Sequence, residues 1–176
     1  STAGQGLAAA SIPYTGFGVV GYDFDLDGWH DVYVANGRVG LGVQRQRDPL
    51  ADPFAEPNLL FRGMPSGSFE IMPGNVHAKP EYTATSRAAA FADYDNDGDI
   101  DIAVVNNGGA LHLFENQASS SQNRLHQAWS GFDVFAGSHR VAARSDVHAG
   151  GRTWSKSVNR GGSYLSSHDP RVHFGL

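Results

Sequence analysis

The sequence predicts an all-β fold built around a repeated unit. Its apolar runs are short and rich in valine and isoleucine, which is typical of strands, and no run has the length or periodicity of a long amphipathic helix. Glycine occurs 22 times and proline 8 times in the 176 residues, so turns interrupt the chain often. One unit recurs at an offset of 70 residues, which indicates a repeat architecture.

The composition excludes several classes of protein. The chain contains no cysteine, which rules out disulfide scaffolds, thiolate metal sites and cysteine nucleophiles. No apolar run approaches the roughly 18 residues that a membrane-spanning helix requires. The formal net charge is −5, and eight of the 18 acidic residues lie in two short aspartate clusters. Because the acidity is local and the arginines are scattered, we expect no nucleic-acid partner. Because no apolar run is long enough, we expect no membrane span.

The repeated unit joins two predicted strands through an aspartate-rich loop. Residues 18–37 read GVVGYDFDLDGWHDVYVANG, and residues 88–107 read AAAFADYDNDGDIDIAVVNN. In each copy a small apolar run precedes the motif D-x-D-x-D-G-x-x-D. The runs that follow the motifs, at 32–35 and 102–105, are apolar throughout, which predicts strands buried on both faces. The next strands of the two units are predicted at 59–62 and 111–115.

Two further stretches lie outside the repeated motif. Residues 44–57 contain three prolines and alternating charges, which predicts a loop inserted in the first repeat. Residues 5–20 are apolar and uncharged, and two interpretations are open for them. They form either an ordinary first strand or a strand that is donated to a neighbouring subunit.

The two aspartate-rich loops are candidate metal sites. Aspartate occupies positions 1, 3, 5 and 9 of each motif, and glycine at position 6 permits the turn that brings position 7 inward. Oxygen ligands without cysteine or histidine suit Ca²⁺ better than zinc or copper, so the sequence predicts two calcium sites. The predicted ligands are the carboxylates of Asp23, Asp25, Asp27, Asp31, Asp93, Asp95, Asp97 and Asp101 and the backbone carbonyls of Trp29 and Asp99, with Gly28 and Gly98 as the turn glycines.

The loops differ from a helical EF-hand. Val34 and Val104 stand at position 12, where an EF-hand has a bidentate glutamate, so Asp31 and Asp101 are expected to close sites that join strands. A solvated turn without metal is one alternative, because aspartate and glycine favour turns. Mg²⁺ is another, although it prefers fewer protein ligands and more water. Since protein atoms fill every predicted ligand position, we expect a structural role for the metal.

The repeats and the C-terminal tail together resemble a known combination of domains. The two units are similar to the calcium-loop repeats of the FG-GAP/VCBS group, known from integrin-type β-propellers. Residues 149–153 (AGGRT), 162–166 (GSYLS) and 169–176 (DPRVHFGL) resemble the ASPIC/UnbV module, which follows such repeats in cartilage-acidic-protein-like secreted proteins. The resemblance implies β-propeller-like repeat blades in an incomplete propeller and a small β-rich C-terminal module. It implies repeats at 1–117, a module at 118–176, and a shortened form of the family.

These inferences lead to a non-enzymatic, secreted or cell-surface repeat protein. The calcium ions are expected to cross-link the loops in place of disulfides and to make folding depend on metal. Two repeats cannot close a propeller ring, which needs about four to eight blades. Because uncovered strand edges template association, we expect self-association into a homo-oligomer or a filament, and hence a structural or adhesive function.

Two other functions are open on the sequence. A carbohydrate- or matrix-binding module would use Trp129 and Trp154, although core packing is the simpler role for those rings. An enzyme accessory domain would need a catalytic acid pair, and no pattern pairs the glutamates of this chain. Those glutamates are Glu56, Glu70, Glu81 and Glu115. Ser163 lies in G-G-S-Y-L and so lacks the G-x-S-x-G pattern of a nucleophile elbow. The histidines lack metal-ligand spacing and are expected on the surface or between strands.

Overall fold

The computed structural model describes residues 6–40, 52–72, 82–118, 129–132, 144–157 and 161–175, with residues 129–132 described as backbone. These segments contain one short helix and thirteen strands. The elements are α1 (Leu7–Ser11), β1 (Gly16–Tyr22), β2 (Asp31–Asn36), β3 (Glu56–Pro57), β4 (Leu59–Gly63), β5 (Phe69–Ile71), β6 (Thr83–Ala84), β7 (Ser86–Ala92), β8 (Asp101–Asn106), β9 (His112–Phe114), β10 (Trp129–Phe132), β11 (Arg144–Ala149), β12 (Arg152–Ser157) and β13 (Val172–Gly175).

Each repeat forms an antiparallel sheet. The first sheet has the strand order β1-β2-β4-β5, and the second has the order β7-β8-β9. The strands predicted at 32–35, 59–62 and 102–105 lie within β2, β4 and β8, and β9 lies within 111–115. The all-β prediction is therefore confirmed. Within the described segments no sheet closes on itself, as expected of an incomplete propeller.

The core lies where the two sheets face each other. Phe91 of β7 packs against Phe24, Tyr22 and Tyr33 of the first repeat, with ring centroids 5.8 to 6.0 Å apart. Burial of such rings is a large part of the hydrophobic stabilisation of a small domain. The sheets approach closely at Gly18, where an added Cβ would lie 2.7 Å from the backbone nitrogen of Ala89. The two repeats are therefore stacked like adjacent blades, with a shared aromatic core.

The N-terminal stretch corrects part of the prediction for residues 5–20. Residues 7–11 form α1, and only the part from Gly16 onward is a strand, which pairs with β2. Leu7, Ala10 and Tyr14 pack against the outer face of the first sheet, on the side away from the second repeat. The alanine-rich run favours a helix, and its spacing places Leu7 and Ala10 on one face, whereas Tyr14 lies just beyond the end of α1. A single strand over 5–20 is therefore wrong, because a helix covers this sheet face better.

The burial of β8 also differs from the prediction. In β2, five of the six residues are buried and the sixth, Val32, packs against a core cluster, so both faces are covered. In β8, Val105 is 49% exposed, and Leu113 of the neighbouring β9 is 51% exposed. The prediction that both strands are buried on both faces is thus wrong for β8. Its outer face is uncovered because no described element plays the part that α1 plays for the first sheet.

The C-terminal segment is β-rich, as the resemblance implied. β10 pairs with β13, and β11 pairs with β12 in a hairpin. All four residues of β13 are buried.

Some residues named in the sequence analysis lie outside the described residues. They are residues 44–51 of the predicted inserted loop, Glu81 and the side chain of Trp129. The rest of that loop, residues 52–57, ends in the short strand β3. Across the described ranges, no helix is long and apolar enough to cross a membrane.

Candidate metal centre

Both aspartate-rich loops close the end of a hairpin. Loop 1 (residues 23–31) connects β1 to β2, and loop 2 (residues 93–101) connects β7 to β8. The last residue before each loop pairs with its final aspartate, since Tyr22 pairs with Asp31 and Ala92 pairs with Asp101. Positions 1 and 9 of each motif are consequently held next to each other by the strand ladder.

The loop backbone turns sharply at two positions. Gly28 and Gly98, at position 6, have φ values of 86° and 102°, as the motif predicts. Position 4 is also left-handed, with φ of 60° at Leu26 and 61° at Asn96. Leucine rarely adopts a positive φ, so this turn was not predictable at Leu26, whereas asparagine, as at Asn96, is enriched in this conformation. Leu26 is only 2% exposed, so packing of its side chain helps to hold the turn.

Side-chain carboxylates organise the start of each loop. The backbone N–H of Asp27 donates to the Oδ1 atoms of Asp23 and Asp25, at 3.0 and 3.3 Å. In loop 2 the N–H of Asp97 donates to the Oδ1 atoms of Asp93 and Asp95, at 3.1 and 3.2 Å. Such aspartate-to-backbone bonds curl the chain around one point. The backbone at the start of both loops is therefore held by the same pair of bonds.

The aspartate at position 9 ties loop 1 to β4 and loop 2 to the chain just after β9. The two carboxylate oxygens of Asp31 accept hydrogen bonds from the N–H groups of Phe24 and Gly63, at 2.9 and 2.8 Å. Those of Asp101 accept from Tyr94 and Asn116, at 3.0 and 2.8 Å. Gly63 and Asn116 were missed by sequence reasoning, because only the strand register brings them to the loops.

Each loop brings three carboxylates together. One oxygen from each of Asp23, Asp25 and Asp27 lies within 4.8 Å of the others, as does one from each of Asp93, Asp95 and Asp101. Asp31 and Asp97 are outside these groups. Trp29 and Asp99 occupy position 7, directly after the left-handed glycine. Among the residues that the structure describes, these are the two acidic groups able to hold a metal ion.

Several of the loop carboxyl groups have raised pKa values, so their charged form is disfavoured. The pKa of Asp23 is raised from 3.8 to about 6 and that of Asp31 from 3.8 to about 7, chiefly by burial, while neighbouring carboxylates add to the rise and backbone hydrogen bonds oppose it. Burial also raises the pKa values of Asp25 and Asp101. A bound cation would relieve this repulsion. The all-oxygen donor set, its convergence and the left-handed glycine fit Ca²⁺.

The C-terminal segment contacts both loops at the same position. The indole Nε1 of Trp154 donates to the carbonyl of Gly28 at 3.2 Å, and Nε2 of His173 donates to the carbonyl of Gly98 at 2.7 Å. Arg171 adds a bond from Nη1 to Oδ1 of Asn96 at 2.7 Å and a bond to the carbonyl of Asp93. These carbonyls belong to positions 1 and 6 of the motifs.

Aromatic and cationic side chains reinforce the contact with loop 1. The guanidinium of Arg152 lies between the rings of Trp29 and Trp154, 4.6 and 4.9 Å from their centroids. The ammonium of Lys156 lies 5.0 Å from the ring of Tyr22, and burial lowers its pKa to about 8. The ring of Trp154 is thus engaged within the chain, as the packing interpretation predicts.

Comparison with known families agrees with this geometry. The FG-GAP-like repeat model matches residues 23–104, which contain both loops, and the ASPIC and UnbV model matches residues 138–176. The chain carries an FG-GAP-like repeat followed by an ASPIC and UnbV domain. The suspected combination of an FG-GAP-like repeat and an ASPIC/UnbV module is confirmed, and both domains fit a non-enzymatic extracellular repeat protein. No curated protein matches the chain at a significant level.

Several of the remaining candidate residues in the described segments have structural contacts. Glu56 is 2% exposed and is held by the N–H of Thr15 at 2.8 Å and by Arg38 at 3.2 Å, which is a structural arrangement. Ser163 accepts a hydrogen bond from the N–H of Val19 at 3.0 Å. His168 and His173 are 6% and 3% exposed, as expected for histidines that pack between strands. FG-GAP-like repeats are typically non-catalytic.

Proposed function

We propose that this chain is a non-enzymatic, extracellular, calcium-stapled structural or adhesive protein. The observation that carries the proposal is the repeated loop geometry, in which three carboxylate oxygens converge within 4.8 Å in each of two matched hairpin loops. When Ca²⁺ binds, it neutralises these carboxylates and links the hairpin to the strands around it. The proposed ligands are the aspartates at positions 1, 3, 5 and 9 and the carbonyls of Trp29 and Asp99.

The N-terminal and C-terminal parts of the chain have different proposed roles. The repeats, at residues 1–117, carry the metal sites, and the module, at residues 118–176, is anchored on both loops through Trp154, Arg171 and His173. Because the chain has no cysteine, calcium takes the stabilising place that disulfides hold in many secreted domains. The chain associates with further copies through its exposed strand edges. Binding of a glycan or matrix ligand stays a prediction, and no contact of Trp154 favours it.

Thermal unfolding of Asp25→Ala and Asp95→Ala, with calcium and in EDTA, tests the proposal. Excess Ca²⁺ at a hundred times its Kd is expected to stabilise the folded chain by about 2.7 kcal/mol per site. Each variant should lose the part of that gain that belongs to its loop, and the double variant should lose nearly all of it. Asp146→Ala is the matched control, because Asp146 lies in the β11–β12 hairpin and pairs with Arg144. Melting that is unchanged by both loop substitutions would contradict a structural role for calcium.

A further inference from the structure

The strand registers align the two repeats residue by residue. Tyr33 pairs with Leu60 in the first sheet, and Ala103, which lies 70 residues after Tyr33, pairs with Leu113 in the second. Leu60 and Leu113 therefore occupy the same place in their sheets. Because neighbouring residues of a strand point to opposite sides, each sheet has two faces. We call the side that carries Tyr33 or Ala103 the front face, and the opposite side the back face.

The contact between the repeats joins the front face of the first sheet to the back face of the second. Tyr33 of the front face and Val104 of the back face are buried in one core cluster, against which Leu60 of the front face also packs. Val104 lies on the back face of the second sheet because it follows Ala103 directly in β8. The surface that fits a front face in this fold is therefore the back face of another repeat.

The front face of the second sheet carries exposed apolar side chains. Val105 of β8 and Leu113 of β9 are 49% and 51% exposed. Their counterparts in the first repeat are Ala35, which is fully buried, and Leu60, which packs against the shared core. The same apolar face is thus covered in one repeat and exposed in the other. Exposed apolar patches on folded proteins often mark interaction sites.

The back face of the first sheet is covered by α1. Val34, Leu59 and Phe61 form a buried cluster on this face, and Leu7 and Tyr14 pack against it. In the second repeat, the equivalent face is covered by a sheet instead. The helix α1 has five residues, none of them buried, and no side-chain hydrogen bond caps its N-terminus. Because helices this short are unstable on their own, a surface that fits the sheet better can displace α1.

We propose that the front face of the second repeat binds the back face of the first repeat of another copy, and that α1 is a displaceable cover over that back face. The inference deepens the self-association in the proposed function, because it adds a face-to-face contact beside the β9 edge. Each new contact repeats the packing that joins the two repeats within the chain. Since the two surfaces differ, every bound copy still offers one of each, and the assembly is head-to-tail and open-ended.

Two lysine substitutions, each of which blocks one face, test this assignment by light scattering in calcium at high protein concentration. Val105→Lys blocks the front face of the second repeat. Val19→Lys blocks the back face of the first, because Val19 pairs with Val34 and is 41% exposed. Neither variant is expected to form polymers alone, since an unpaired charge is costly to bury at an apolar contact. An equimolar mixture is expected to form mixed dimers through the two intact faces.

Val105→Lys also separates the face from the edge. Val105 belongs to β8, which lies between β7 and β9, so its side chain lies on the face of the sheet and its strand is not at the edge. Val39→Lys is the matched control, because Val39 is 69% exposed and follows the end of β2, and it should assemble like wild type. Circular dichroism checks folding. If Val105→Lys is unfolded, Val105→Ser replaces it and should raise the concentration needed for assembly by about tenfold.

Ala9→Gly tests the role of α1. Ala9 is exposed, and glycine is unfavourable in a helix, so the substitution weakens the cover without removing a packed side chain. It is expected to lower the protein concentration needed for assembly by about fivefold. An unchanged concentration would overturn the role of α1 as a displaceable cover.

The remaining outcomes separate the inference from the proposed function. If Val105→Lys assembles like wild type and Leu113→Lys does not, copies pair through the β9 edge alone, so the inference is overturned and self-association stands. If Val19→Lys alone assembles like wild type, the back face takes no part, and the inference is again overturned. If wild type is a monomer at high concentration, both the inference and self-association are overturned, and the calcium sites are still judged by thermal unfolding.

Discussion

Asp23 and Asp31 stand at the two ends of loop 1, and each is 2% exposed. Their raised pKa values mean that the folded, metal-free loop retains protons that the unfolded chain has already lost near pH 4. These carboxyls therefore favour the metal-free fold at low pH, and the contribution is lost as pH rises through about 6 to 7. Calcium needs the ionised carboxylates, so a proton and a calcium ion compete for the same oxygens.

This competition predicts that the stabilisation by calcium grows with pH. The difference in melting temperature between calcium-loaded and metal-free protein should increase from pH 5 to pH 7.5, with most of the rise near pH 6 to 7. The prediction concerns the difference between the two melting temperatures because the stability of both the calcium-loaded and the metal-free protein depends on pH. One cause of that dependence is burial, which lowers the pKa values of His168 and His173. Scanning calorimetry at closely spaced pH values measures it. A constant difference across this range would mean that these carboxyls do not hold the metal.

The spacing of the aspartates made the turn geometry of the two loops predictable from sequence, whereas the surroundings of the loops were not predictable. A repeated nine-residue motif is a local pattern, and its left-handed glycines follow from it. Arg62, Gly63 and Asn116 reach the loops only through the register of β4 and of the chain that follows β9. The contacts of Trp154 and His173 span 126 and 75 residues of sequence. No local pattern encodes contacts of that range.

At the scale of elements, the strands were predictable from sequence because their valine- and isoleucine-rich runs are distinctive. The helix α1 was not predictable from sequence. Leu7 and Tyr14 become part of a core cluster only when the first sheet is present to receive them. Isolated helices of this length are unstable in water, so the tertiary contact selects the helix. The same reasoning applies to β13, whose four residues are buried because the strand docks against both loops.

Gly175 of β13 gives a test of this docking. A Cβ added there would lie 2.0 Å from Oδ2 of Asp23 and 2.9 Å from the Cα of Leu26, so Gly175→Ala forces the tail or the loop to move. We expect it to destabilise the fold by about 1–3 kcal/mol and to weaken calcium binding at loop 1. Gly161→Ala is the control, because a Cβ at Gly161 meets no atom within 4 Å. Unfolding in denaturant measures both variants, and equal stabilities would contradict the docked position of β13.

At the scale of the whole molecule, the exposed strand edges determine where we expect one copy to associate with another. The edge of β1 is partly occupied, because Val19 bonds to Ser163 and the ring of Phe17 packs against Tyr164 at 5.2 Å. Within the described segments no strand pairs with the outer edge of β9, and Leu111 and Leu113 are 66% and 51% exposed. Donation of the N-terminal strand would require β1 to leave its own sheet. The open β9 edge is therefore the more accessible route for association with another copy.

We expect ordered polymers in calcium, seen by electron microscopy of the purified protein, that come apart in EDTA. Calcium is needed because the ion fixes the loop from which β8 begins, and β8 holds β9 in its ladder. Leu113→Lys should abolish assembly, since a lysine on an edge strand blocks edge-to-edge pairing, while the melting temperature changes little at so exposed a position. Ile12→Lys, at a 79% exposed residue beside α1, is the control and should assemble like wild type. Single particles with and without EDTA, together with a monomer mass by light scattering at high concentration, would remove assembly from the proposed function and leave the calcium sites to be judged by the melting experiments.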